Sequence, residues 1–358
     1  MRFRMMILGI LVVAIVAGGV VYVRYFAPQS VASRVFLIPD KKASIDAIPE
    51  VAPREPAHLL MVGDIMVGRT VETLIKQKGI GYPLEQVQSW FTEFDKVIAN
   101  LEGPINQSHA QTPHGSTRFS FAANTTDILK EGHVGIVSLA NNHLLDYGVQ
   151  GLIDTRHILH EVGIDFFGDP TFVAEQGILS GVVQGHKIIF ISFNDVAGKL
   201  DAVAAHTLVA KAAHDESSFV IVFMHWGDEY KTVASKHQTE LAHAFIDEGA
   251  DLIVGAHPHV VQNIERYHDR AIFYSLGNFV FDQYFSKETQ EGLALGVTIA
   301  DGGATYDLYP IDIVVSQPIR TIGDARTTRL AALARHSDAS LLAQIKEGTI
   351  PMMYVKKN

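Results

Sequence analysis

Residues 251–259 read Asp-Leu-Ile-Val-Gly-Ala-His-Pro-His: a short apolar run that ends in two histidines. The run has the length of a buried strand. Proline disfavours the helical conformation of the residue before it, so His257 is expected to be extended. Extended backbone puts residues i and i+2 on one side, where both imidazoles can face a single site. The same arrangement recurs along the chain. Apolar runs rich in Val, Ile and Leu lie at 59–62, 96–99, 135–140, 187–193, 219–224 and 271–276. Most of them stop at a polar cluster. Gly63-Asp64 follows the first, Asn100-Leu101-Glu102 the second, and Asn141-Asn142-His143 the third. His225-Trp226-Gly227 follows the run at 219–224, and Gly277-Asn278 follows the run at 271–276.

Helical spacing fills the intervals at Thr70–Lys78, Pro83–Phe94, Gln150–Val162 and Lys236–Glu248. Proline suits the start of the second. Glycines suit the ends of the last two. Strands alternating with helices predict an α/β domain. In such sheets ligands gather beyond the carboxyl ends of the strands, so the polar clusters are expected on one rim. Asp, Glu, Asn and His are the hard and borderline donors for divalent cations. Each cluster alone has a plainer reading as a helix cap or turn. Their joint occurrence after successive strands is what points to a metal site. Histidines off this pattern, such as His58, His109 and His237, read as surface or packing residues, as do Asp282 and Glu291.

Composition narrows the classes. The chain has 358 residues, no cysteine, 17 histidines and a formal charge of -10. Thiolate metal sites, cysteine nucleophiles and disulfides are excluded. The acidic balance argues against nucleic acid as a partner. No Gly-x-x-x-x-Gly-Lys phosphate loop or Gly-x-Ser-x-Gly elbow is present.

The N-terminus reads differently. Met5–Val23 is apolar and uncharged, with Arg2 and Arg4 before it and Arg24 after it. As a helix it would nearly span a hydrocarbon core. It is read as an uncleaved signal anchor within residues 1–26, with cleavage near Val16-Ala17-Gly18 and secretion as the alternative. The N-terminal charges favour an inside N-terminus, which puts the main domain outside the cytoplasmic membrane of a single-pass protein. Residues 27–56 carry five prolines and read as a semi-rigid linker, with Val35–Ile38 a candidate edge strand. Beyond residue 300, 305–315 predicts one or two further strands, and Ala325–Ala334 and Ser340–Lys346 short helices. That part, 301–358, is expected as an extension packed on a domain spanning 57–300.

The ordered set Gly63-Asp64-Ile65-Met66, Asn100-Leu101-Glu102, Asn141-Asn142-His143, His225-Trp226-Gly227, Gly255-Ala256-His257-Pro258-His259 and Ser275-Leu276-Gly277-Asn278-Phe279 resembles the CapA family. These are capsule-biosynthesis proteins associated with poly-γ-glutamate, and they share the calcineurin-like metallophosphoesterase fold. The resemblance covers roughly residues 57 to 300. It implies a β-sandwich flanked by helices and one or two divalent ions (Mn, Zn or Fe). By resemblance, Asp64 and His259 hold a first metal. Asn142, His225 and His257 hold a second, and Glu102 bridges them. His143 acts as general acid or stabilises the leaving oxygen, and Asp64 shares the catalytic role; Gly277-Asn278-Phe279 reads either as a lining of the substrate pocket, with Asn278 as the binding residue, or as a strand-end turn. The superfamily's opening Asp-x-His is here Asp64-Ile65-Met66, which removes one histidine ligand. Thioether sulfur is a poor ligand for a hard ion.

Two functions follow. One is a membrane-anchored hydrolase or transferase acting on an envelope phosphoester or on the isopeptide backbone of a polyanion. The other is a non-catalytic component of a capsule synthesis complex, partnered by membrane subunits. There a vestigial metal site holds polymer carboxylates.

Overall fold

A computed structural model describes residues 53–196 and 200–353. The expected membrane segment, the linker up to residue 52 and the 35–38 strand lie outside the described residues. Among the described residues no helix is long and apolar enough to cross a membrane.

The fold is mixed α/β. Its strands, in chain order, begin with β1 (Ala57–Ile65), β2 (Lys96–Leu101), β3 (Ile136–Ser138), β4 (Asp165–Phe167) and β5 (Leu179–Val183). Then come β6 (His186–Asn194), β7 (Ser218–His225), β8 (Leu252–Ala256), β9 (Ile264–Tyr267) and β10 (Arg270–Phe273). The last are β11 (Asn278–Val280), β12 (Glu291–Ala300), β13 (Gly303–Val314), β14 (Gln317–Arg320) and β15 (Thr349–Met353). One nine-stranded sheet runs β14-β13-β12-β1-β2-β3-β4, with β11 beside β1 and β15 beside β13. A six-stranded sheet runs β5-β6-β7-β8-β10-β9. The centres of both are parallel: β1 to β4 in the first, β6, β7, β8 and β10 in the second.

Parallel strands covered on both faces read as unbroken apolar runs, and the side chains show why. In β1, Leu59 and Met61 enter the core between the sheets, while Leu60 and Val62 enter the core under the helices. In β7, Phe219, Ile221 and Phe223 face the other sheet, while Val220, Val222 and Met224 face helices Ala202–Ala213 and Lys236–Asp247. Three hydrophobic clusters therefore separate four layers: helices, sheet, sheet, helices.

Two expectations shift. The helix foreseen at Pro83–Phe94 is reduced to Gln88–Phe91. Residues before it are spent in turns, with Leu84 and Glu85 both donating to the Gly81 carbonyl. The segment after 300 is not an extension packed on a finished domain. β13 pairs with β12 from Gly303↔Ala300 to Asp312↔Glu291, and Leu330, Ala334 and Ile345 join the core between the sheets. The boundary at 300, drawn where the family resemblance ends, cuts the β12–β13 hairpin.

Candidate metal centre

The parallel strands of both sheets end at one place. Asp64 is the penultimate residue of β1, and its register partners are Asn100 of β2 and Asn278 of β11. Glu102 follows β2 directly, and Asn142 and His143 lie in the turn after β3. His225 is the last residue of β7, and His257 and His259 follow β8. Two glycines make this approach feasible. A Cβ on Gly63 would stand 1.8 Å from the Gly277 carbonyl oxygen, and one on Gly255 would stand 1.9 Å from that of Tyr274.

Asp64, Glu102 and His259 offer ligand atoms that all lie within 4.8 Å of one another, and so do Glu102, His225 and His257. Glu102 belongs to both groups. It is fully buried, and neither carboxylate oxygen has a hydrogen-bond partner. His257 Nδ1 is buried and unpartnered as well. Buried polar atoms are nearly always satisfied, so the two unpartnered Glu102 oxygens and His257 Nδ1 fit residues that would hold a cation. All donors are oxygen or imidazole nitrogen, which suits a divalent ion without thiolate.

The other contacts orient these groups. Asn100 Nδ2 donates to Asp64 Oδ1 at 2.8 Å, and Asn100 Oδ1 accepts from Asn141 Nδ2 at 3.0 Å. His259 Nδ1 donates to Asn278 Oδ1 at 3.0 Å and lies 3.3 Å from Asp64 Oδ2. Partners of this kind fix a ligand's ring orientation. Asn278 is thus placed behind His259, in a fully buried position, while its Nδ2 donates to Gln283 and to the Thr289 carbonyl. Asn142 Oδ1 accepts from His225 Nε2 at 2.8 Å, so Asn142 joins the cluster. His143 Nδ1 donates to Asp146 Oδ2 at 2.8 Å, and its Nε2 stands 3.9 Å from Glu102 Oε1.

The electrostatics match a cation cradle. Burial, then the charge of Asp64, pushes the Glu102 carboxyl well above the usual carboxylate range. Burial, then the neighbouring His257, holds His225 well below the ordinary imidazole value. Burial, then His259, brings His257 down to about 4. Neutral imidazole is the form that binds a metal.

The backbone at the paired histidines is not the extended one that the Pro258 argument predicts. φ is +94° at His257 and +58° at His259. Proline excludes the right-handed helical conformation before it but does not select extended backbone. Both rings still reach the cluster, with centroids 5.9 Å apart. Such left-handed residues cost about 1–3 kcal/mol each and gather at functional sites.

Met66 supplies no donor to the cluster. Its thioether accepts the Gly68 N–H at 3.2 Å and is packed in the core beneath the helices. Sequence reasoning gave no role to Asn100, Asp146 or Arg69. Asn100 lies one strand repeat before Glu102, and Asp146 three residues after His143, both spacings visible in advance. Asp282 is not a surface residue: it is buried, pairs with Arg69 and accepts the Thr70 N–H at 3.1 Å, while the half-buried Glu291 pairs with Arg329.

Two sheets meeting at a buried histidine–carboxylate cluster define a mixed α/β protein whose strand ends gather groups that could hold a metal ion. A sequence profile of the bacterial capsule synthesis protein PGA_cap matches residues 58–283. The PGA biosynthesis protein CapA of Bacillus subtilis (strain 168) is 32% identical over 304 residues, 81% of this chain and 80% of that protein. The capsule biosynthesis protein CapA of Bacillus anthracis is 33% identical over 295 residues, 76% of this chain and 72% of that one. A crystal structure of a hypothetical protein from Thermus thermophilus aligns with a TM-score of 0.44 at 17% identity, over 73% of this chain and 96% of that chain. The chain belongs to the bacterial capsule synthesis protein family PGA_cap, the CapA family.

Proposed function

We propose that this protein acts outside the cytoplasmic membrane, held there by its N-terminal segment, in poly-γ-glutamate capsule biosynthesis. It does so through a divalent-metal centre of metallophosphoesterase type. The observation that carries the reading is Glu102, buried, doubly unpartnered and common to two ligand groups. The Bacillus relatives carry names in PGA and capsule biosynthesis, which supports the polymer context. Asp64, Glu102 and His259 would hold one ion; Glu102, His225 and His257, with Asn142, would hold a second. A bound ion supplies Lewis-acid polarisation and a lowered water pKa.

The protein's own residues do the rest. Asp64 and Asn278 keep the His259 ring in place. Asp146 accepts the Nδ1 proton of His143 and leaves Nε2 turned towards Glu102. In its doubly protonated form His143 would give the Nε2 proton to the leaving oxygen or nitrogen of a phosphoester or isopeptide, become neutral, and keep its Nδ1–H bond to Asp146.

Metal content of the purified chain, measured with turnover of a phosphodiester and of poly-γ-glutamate under added Mn²⁺, tests this. Wild type should bind metal and turn over one of them. H257A and E102Q should lose both properties. Equal metal binding by wild type and both variants would overturn the assignment. For location, protease added to spheroplasts should digest the domain; resistance would place it inside.

A second reading has its own observation. Met66 faces the core, so the Asp64 group has only one histidine. A weakly held ion there would bridge polymer carboxylates to an acidic protein without bond cleavage. Metal binding with no turnover, and polymer retention that chelator abolishes, would select it over the first.

A further inference from the structure

Arg69 begins the helix Arg69–Lys78 in the left-handed region, with φ +50°. An arginine there is strained, and nothing in the helix requires one. Its side chain is nine-tenths buried. The guanidinium carbon lies 4.9 Å from the ring centre of Phe119 and 5.4 Å from that of Phe281. Those rings back the metal cluster: Phe119 is 4.1 Å from the His143 ring and Phe281 is 4.9 Å from the His259 ring. One Nη pairs with Asp282, the other donates to the Ser116 carbonyl at 2.9 Å, and Nε is buried with no acceptor.

We infer that Arg69 is a substrate-binding residue: its guanidinium clamps an oxyanion of the substrate, carboxylate or phosphate, beside the group held at the metal cluster. The inference rests on the metal-centre reading and adds the anionic character of the substrate's neighbouring unit. A guanidinium matches both oxyanions as a planar fork. Asp282 tempers the charge in the free protein and caps the helix through the Thr70 N–H. An incoming oxyanion therefore competes with Asp282 for part of the fork.

That competition separates a clamp from a structural ion pair. The full chain, loaded with Mn²⁺, is titrated calorimetrically with tri-γ-glutamate and, separately, with inorganic phosphate. R69Q should weaken at least one probe about tenfold, the worth of a charge-assisted hydrogen bond. Its Mn²⁺ affinity should stay near wild type, while its melting temperature falls because Asp282 is left buried without its cation. R69K, which keeps the charge without the fork, should recover part of the loss. D282N, which lifts the competing charge, should tighten the same probe. Weakening of tri-γ-glutamate alone assigns the clamp to a polymer carboxylate, and weakening of phosphate alone to a phosphate-bearing substrate. The inference is overturned if R69Q and D282N weaken both probes alike, if R69Q changes neither, or if metal-loaded wild type binds neither. Failure of wild type to bind Mn²⁺ would instead overturn the metal-centre reading itself.

Discussion

At the scale of single residues, the division of labour around His143 is the sharpest. Asp146 Oδ2 accepts from His143 Nδ1 at 2.8 Å and from the Phe119 N–H at 2.7 Å, so one carboxylate sets both the acid and the ring stacked on it. Asp146 touches none of the metal-binding donors. D146N should therefore leave metal content unchanged and cut turnover by about a hundredfold, the usual contribution of a placed general acid. Comparing metal stoichiometry with kcat would check it; loss of metal in D146N would refute the positioning role. Gly63 sets a different limit. G63A would press a Cβ against the Gly277 carbonyl, next to Asp64. It should cost about 3 kcal/mol or more, the upper range for overpacking, and appear as a lower melting temperature.

Positions were legible in sequence to unequal degrees. Asp64, Glu102, Asn142, His225, His257 and His259 could be singled out as candidates because each follows an apolar run, and the fold brings them together. The conformation of His257 could not, since proline removes one backbone basin and leaves several. Arg69 carried no signal: its meaning comes from Phe119, Phe281 and Asp282, which are distant in sequence.

At the scale of elements, the strands were the readable part, because burial on both faces leaves continuous apolar runs. Short or edge strands were not. β5 has exposed Ser180, Gly181 and Val182, and β4 is three residues long. Neither offers a pattern that stands out from a loop. The turn between β4 and β5 holds a test of local electrostatics. Burial works against the charge of Asp169, but the N–H groups of Thr171 and Phe172, each at 2.8 Å, and the Arg156 guanidinium outweigh it. The net result is a carboxyl held below its ordinary 3.8. A lowered pKa means that the folded state gives up its proton more readily than the unfolded one. The stabilisation is complete above 3.8 and is lost as pH falls through the folded value. D169N should then destabilise the protein at neutral pH, with the gap to wild type closing as pH falls from 3.8 through the lowered folded value. Denaturant midpoints across that range would decide, and a pH-independent gap would contradict the assignment.

At the scale of the whole molecule, the C-terminal strands carry more than the sequence suggested. β13 buries Tyr306, Leu308 and Ile311 and pairs on both sides, with β12 and with β14 and β15. A chain ended at residue 300 would expose β12 as an edge and uncover the core between the sheets. It should show no cooperative thermal transition, whereas a chain ended at 353 should melt like the full protein. Soluble, cooperatively folding material from the shorter chain would count against an integral C-terminus. The sequence signalled these strands at 305–315 but not their membership of the first sheet, because pairing partners are set by register across the fold and not by local pattern.

The metal-binding donors are drawn from both sheets: Asp64 and Glu102 from one, His225, His257 and His259 from the other. Neither sheet alone owns a finished cradle. On the location proposed above, a chain that crosses the bilayer before folding would arrive without its ion and choose one from the medium in which the halves close. Cargo loaded that way reflects the mineral content of the surroundings together with the site's own affinity order. Growth in manganese-poor and in zinc-poor media would write that difference into the purified protein.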